Sequence, residues 1–79
     1  MAIRNRKELG AAIRRARRAK KLSQIDLARM ASVRQPLISE LENGTTSVTI
    51  DTLLKVLAPL ALDLDLAPRQ SASFDPTQY

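Results

Sequence analysis

The stretch at residues 23–44, SQIDLARMASVRQPLISELENG, carries polar groups suited to recognition rather than catalysis. Ile38 and Leu41, spaced i and i+3, are the inward positions of a short helix, which leaves Gln35, Pro36, Leu37, Ser39 and Glu40 to an outside partner. An amide, a hydroxyl and a carboxylate there are donors and acceptors that can match the edge of another molecule. A helix so presented, N-terminus outward, fits the major groove of DNA. Catalytic chemistry has far less to work with. The chain has no histidine and no cysteine, so it lacks the commonest general base and metal ligand, any thiol nucleophile and any disulfide. We expect no enzyme activity, no metal site and no cofactor.

Charge points to the same kind of partner. Residues 1–34 hold eleven of the thirteen Lys and Arg against two of the eight acids, a net +9, and the remainder, two bases against six acids, is −4. A basic half suits a polyanion, most often nucleic acid; the alternative is a solvated basic helix. No apolar run approaches a membrane span, and the first ten residues, MAIRNRKELG, place charges where a signal peptide needs an apolar stretch. The expectation is a soluble, cytoplasmic protein without a membrane partner. With 79 residues there is room for one domain, whose small core makes dimerisation a natural way to bury more surface.

Local signals place the elements. Asn5 is a helix cap, with Glu8 three residues on as in a capping box, and Leu9, Ala12, Ile13 and Ala16 recur at helical spacing over residues 6–20. Leu22 turns inward in the following turn. Ser23 with Asp26 opens a second helix, whose apolar side we assign to Ile25, Leu27, Ala28 and Ala31. After the turn Ser32-Val33-Arg34, a third helix over residues 35–42 has Pro36 in its first turn, where a missing N–H costs little, and stops at Asn43-Gly44. Thr49 caps a fourth helix containing Ile50, Leu53, Leu54, Val56 and Leu57, which ends or kinks before Pro59 and restarts for one turn. Leu62-Asp63-Leu64-Asp65-Leu66 then alternates with period two, a half-buried strand signal. A lone strand must pair its backbone groups with something, and the same strand of a second copy, across a two-fold axis, is the simplest partner; the alternative is an extended tail with its leucines packed on the helices. Residues 68–79 read as a flexible polar tail, with Phe74 and Tyr79 as either docking anchors or incidental residues.

At this point the chain resembles a known family. The pattern SQ-x-x-LA, then V-x-x-x-x-IS-x-LENG, is similar to the Cro/repressor, or xenobiotic-response-element, type of helix-turn-helix. The resemblance covers about residues 8–60. It implies an all-α bundle of four to five helices, to which the short C-terminal strand is added. It also implies contacts, position by position. Gln24 sits where the family meets a phosphate at a helix N-terminus. Gln35 and Glu40 sit where it reads base edges: a glutamine can pair with adenine, and a carboxylate can accept from cytosine N4. Leu37 can touch a thymine methyl, while Pro36 offers shape alone. Asn43 and Thr45 lie where the backbone approaches phosphates again. Arg17 and Glu42 occupy positions that pair in some repressors of this type; the alternative is that Arg17 seeks phosphate from the surface. Of Arg14, Arg15 and Arg18, one or two are expected at the phosphates, Arg18 foremost.

This chain departs from the family in two places. Ser32 replaces the usual turn glycine, and Arg34 replaces the Ser or Thr that caps the third helix, adding a cation beside the DNA backbone. Within the family, a domain followed by L-x-L-D-L-x-P-R resembles the HipB-like antitoxins. That resemblance implies a homodimer on a palindromic operator and a HipA-like serine/threonine kinase toxin as partner. The expected organisation is a DNA-binding domain at 5–61, a dimerisation strand at 62–67 with Leu62, Leu64 and Leu66 on its apolar face, and the tail at 68–79. A stand-alone phage-type repressor, or a restriction–modification controller, is the alternative. A third reading, an inhibitor module with vestigial DNA binding, predicts no sequence-selective binding at all.

Overall fold

The computed structural model describes residues 2–69. Four α-helices follow one another, α1 (Arg6–Ala19), α2 (Gln24–Ala31), α3 (Gln35–Asn43) and α4 (Ile50–Leu57), and a 3₁₀ turn, Ala58–Leu60, closes the sequence of elements. The fold is the all-α helix-turn-helix bundle.

Three of the four α-helix starts are fixed by side chains close in sequence. Asn5 Oδ1 accepts the N–H of Glu8 at 2.8 Å, while the Glu8 carboxylate takes the N–H of Arg4 at 2.7 Å, one residue earlier than a capping box would place it. Ser23 and Asp26 do form the reciprocal box, each accepting the other's backbone N–H at 3.0 Å. Thr49 caps α4 through the N–H of Thr52. Arg34 makes no side-chain cap for α3, and Pro36 removes one of the donors that would have needed it.

Left-handed residues end the helices. Ser32, at φ +57°, turns the chain between α2 and α3 where glycine would be less strained. Gly44, at φ +71°, ends α3. A Cβ there would stand 2.7 Å from Lys7 Cα, so the start of α1 rests directly on the backbone of this turn. Lys21 at φ +58° ends α1, so that Leu22 can tuck its side chain against the core. Pro59 does not throw the chain out of helical conformation: Ala58 stays right-handed and the helix tightens into the 3₁₀ turn.

The core is built from Ile13, Leu27, Ala28, Ala31, Ile38, Leu41, Leu53, Val56, Leu57 and Leu60, with Leu9, Ala16, Leu22, Val33 and Val48 packed around it. Helix α3 lies between α1 and α2, and α4 packs on α2 and on its own 3₁₀ turn. Ile25 departs from the expected inward face; it is 58% exposed. Residues 62–69 are exposed and form no strand in the single chain. The expected ladder needs a second copy to supply its acceptors and donors. Phe74 and Tyr79 lie outside the described residues.

Candidate nucleic-acid interface

The polar residues of α2 and α3 are tied to α1 through one carboxylate. Glu42 is buried at the end of α3 and receives four hydrogen bonds. Arg17 of α1 donates through Nε to Oε2 at 2.6 Å and through Nη2 to Oε1 at 3.0 Å. Arg14, one turn earlier, donates through Nε to Oε1 at 3.4 Å, and Gln24 of α2 donates through Nε2 to the same oxygen at 3.2 Å. Three of these donors converge on Oε1 and one reaches Oε2, so both oxygens of the ionised carboxylate are engaged. Arg17 is also buried; its Nη1 donates to the Leu22 carbonyl at 2.8 Å. Among the described residues, no buried side-chain polar atom lacks a partner.

These contacts set the ionisation. Burial pushes the Glu42 carboxyl up, but the hydrogen bond from Arg17, that from Gln24, the Arg17 charge and the hydrogen bond from Arg14 together hold it below its ordinary value. The hydrogen bond to Glu42 raises the Arg17 guanidinium, against desolvation. Both groups are charged at neutral pH. A bidentate, doubly buried pair of this kind contributes geometry: it locks α1, the start of α2 and the end of α3 together.

The network continues outward. Gln35 Nε2, at the first position of α3, donates to Gln24 Oε1 at 2.9 Å, and Arg14 Nη2 donates to Asn43 Oδ1 at 2.8 Å. The structure thus brings Gln24, Gln35, Asn43, Arg17 and Glu42 into a single hydrogen-bonded array. Arg34, Pro36, Glu40, Asn43 and Thr45 are exposed, and Gln35, Leu37 and Ser39 are half-buried. Arg34, Pro36, Leu37 and Glu40 line an open groove together with Val33 and with Thr52 from α4. Thr45 folds back on α3, its N–H donating to the Glu40 carbonyl at 3.0 Å. Arg18, exposed on the last turn of α1, takes no part in the array. Such a surface offers a helix N-terminus, a cation and a row of donors and acceptors, which are the parts that phosphate and base contact require.

Residue-type reasoning missed two participants. Arg14 looked like one of several surface arginines, yet it bridges Glu42 and Asn43. Gly10 is buried, and a Cβ on it would stand 2.5 Å from the Glu42 carbonyl oxygen and 2.7 Å from its carbon. The glycine lets α1 meet the C-terminal backbone of α3. The only sequence signal was a glycine inside an otherwise strong helical pattern, a position that commonly has a packing reason.

Residues 13–66 match the sequence pattern of the helix-turn-helix family, and the chain belongs to that family, a class of DNA-binding regulators, within its Cro/C1-type branch. A Mycobacterium tuberculosis protein carrying the name antitoxin HigA2 is 37% identical over 58 residues, 72% of this chain and 57% of that protein. The chain spans about half the length of the curated relatives it matches. Among solved structures, HipB in its complex with an O4 20mer superposes with a TM-score of 0.79 at 27% identity, over 89% of this chain and 99% of HipB. A structure of HipA, HipB and O2-O3 gives the same agreement. The restriction–modification controller C.AhdI of Aeromonas hydrophila superposes with a TM-score of 0.67 at 29% identity, over 70% of this chain and 83% of that one. Among the described residues, no helix is long and apolar enough to cross a membrane.

Proposed function

We propose that the protein is a sequence-specific, dimeric DNA-binding repressor that acts as the antitoxin of a HipBA-like system, regulating its own operon and neutralising a serine/threonine kinase toxin. The observation that carries DNA binding is the outward edge of α3, held against the α2 N-terminus by the Gln35–Gln24–Glu42 array. In this reading α3 enters the major groove. Gln35, Pro36, Leu37, Ser39 and Glu40 meet the base edges, while Gln24, Arg34, Asn43, Thr45 and Arg18 meet phosphates.

The dimer rests on the end of the chain. Leu62, Leu64 and Leu66 are 37%, 48% and 98% exposed, and Ile50 and Leu54 of α4 are exposed as well, at 62% and 44%. A second copy would cover these side chains and complete a ladder at residues 62–67. Residues 5–61 then form the DNA-binding domain. The antitoxin role is supported by the fit to HipB along almost all of its length, including the structure that holds HipA. The likeness to C.AhdI supports the second reading, a controller without a toxin.

The test is selection of duplex DNA from a random pool, followed by pull-down from native lysate after nuclease treatment. The proposal expects a palindrome and a co-purifying HipA-like kinase. Arg34→Ala should weaken binding to all sequences and lower the salt slope by about 1 per half-site. Equal binding to every duplex would overturn the DNA reading, and a palindrome without a kinase would leave the stand-alone regulator.

A further inference from the structure

The groove beside α3 joins one acid to an apolar wall. Pro36 and Leu37 stand four and three residues before Glu40, so each lies one turn away on the same side of the helix; Val33, Arg34 and, from α4, Thr52 complete the lining. The two acids of α3 are in opposite circumstances. Glu42 is buried among its donors, whereas Glu40 is exposed and pairs with no cation among the described residues. An ionised carboxylate accepts hydrogen bonds and donates none. Against a major-groove edge it is matched by the amino groups of cytosine and adenine and repelled by the oxygens of guanine and thymine. The wall decides between the two that remain. Beside its amino group adenine carries N7, an acceptor that an apolar wall would strip of water without bonding. Beside its amino group cytosine carries C5, an apolar edge.

We infer that this groove reads 5-methylcytosine in preference to cytosine, with Glu40 accepting the N4 amino hydrogen while Pro36 and Leu37 cover the 5-methyl group. The inference rests on the reading of Glu40 as a base contact. The amino group and the methyl group sit on adjacent ring carbons, as the acid and the wall sit on adjacent helical turns. No ordinary base offers both: thymine has the methyl group beside an acceptor oxygen, and adenine has the amino group without the methyl. Methylation of the operator at C5 then strengthens binding, since a methyl group moved from water into the groove is worth about fourfold per half-site. Methylation at N4 acts the other way. Base pairing keeps one N4 hydrogen, so the methyl group replaces the one that faces the major groove, and Glu40 has nothing to accept.

The experiment measures wild type, Glu40→Ala, Leu37→Ala and Pro36→Ala on duplexes of the palindrome selected from a random pool. The duplexes differ only at the cytosine whose preference Glu40→Ala erases, which is replaced in turn by 5-methylcytosine, N4-methylcytosine and thymine. Each ratio is taken within one variant, so any loss of folded protein cancels. Wild type should bind 5-methylcytosine about fourfold tighter than cytosine per half-site, and N4-methylcytosine and thymine about tenfold weaker or worse. Leu37→Ala should remove most of the fourfold gain while still favouring cytosine over thymine, and Pro36→Ala should reduce the gain in the same way. Equal or weaker binding of 5-methylcytosine by wild type, with the Glu40 preference intact, would overturn the inference alone. A gain that persists in both wall variants would mean that the methyl group acts through DNA shape, and the inference fails. If Glu40→Ala keeps every wild-type preference, the underlying reading of Glu40 has failed, and the inference with it.

Discussion

Replacing Arg17 by Met should be among the most damaging single changes in this domain, and adding a second change should repair most of it. The single variant removes two of the four donors of Glu42, including the shortest, at 2.6 Å, and leaves the carboxylate 3% exposed with Gln24 and the longer bond from Arg14. Breaking a buried pair from one side costs about 3–5 kcal/mol, because the remaining charge is neither solvated nor matched. At roughly 0.05–0.15 kcal/mol per residue, a chain of this size has about 4–12 kcal/mol in all, so about a quarter or more of its stability is at stake. With each kcal/mol shifting Tm by about 4–8 °C, the melting temperature should fall by about 12–40 °C. In Arg17→Met with Glu42→Met, no charge is buried and the space is filled. The residual losses are the Leu22 carbonyl's donor and the Glu42 contacts of Gln24 and Arg14. The half-buried and exposed positions of Gln24 and Arg14 let water replace part of these contacts, so the double variant should lie within about 1–2 kcal/mol of wild type. The assay is a double-mutant cycle from urea and thermal unfolding at pH 7. A single variant costing under about 1 kcal/mol would show that the pair behaves like a surface one. A double variant no better than the single would refute the desolvation argument.

Other perturbations probe separate parts of the fold. Gly10→Ala drives a methyl group into the backbone of α3 at Glu42, an overpacking worth about 1–3 kcal/mol, and should lower the urea midpoint without changing the slope; an unchanged midpoint would mean that α1 does not bear on α3 there. Stability should be flat from about pH 8 to 5, since there is no histidine to titrate, and should fall below about pH 4. The sign follows from two carboxylates whose pKa values are lowered in the folded state, Asp26 by hydrogen bonds from Ser23 and Glu42 mainly by Arg17. What they add is present above their unfolded pKa and is lost as pH drops through the folded ones. A urea midpoint that moves between pH 5 and 8 would contradict this. Leu64→Asp should convert a dimer to monomer in sedimentation, by placing a charge on the shared apolar face; a variant that stays dimeric would remove the strand from the interface.

What was legible in the sequence is what local interactions decide. Asn5, Ser23 with Asp26, and Thr49 are read as helix starts because a cap and its N–H lie within three residues of each other. Gly44 and Ser32 are read as turns because their conformation is local too. Ile25 was misplaced by treating every apolar residue of α2 as part of one stripe. Leu27, Ala28 and Ala31 make that stripe, and Ile25 is more than about 100° round the helix from its centre. The strand at 62–67 was a different difficulty. Its alternation is plain in the residues, but a strand needs a partner as well as a pattern, and one chain supplies only half of the ladder.

The array around Glu42 shows why the site itself was only half legible. Its pairs are separated by 11 to 29 residues in sequence and meet only because α2 packs on α3 and α1 approaches α3 closely. That approach depends on Gly10, which no hydrogen-bonding inventory would single out. Family resemblance could place Arg17 opposite Glu42, and Gln24 and Gln35 at a surface, but not join them. Once joined, they couple two properties usually considered apart. The carboxylate that holds three helices together is linked through Gln24 to the residue proposed to read a base. A substitution at Glu42 would therefore change stability and DNA binding at once, whereas one at Gln24 leaves the Arg17–Glu42 pair in place and bears mainly on DNA binding. Comparing the two separates the scaffold's contribution from that of the reading edge.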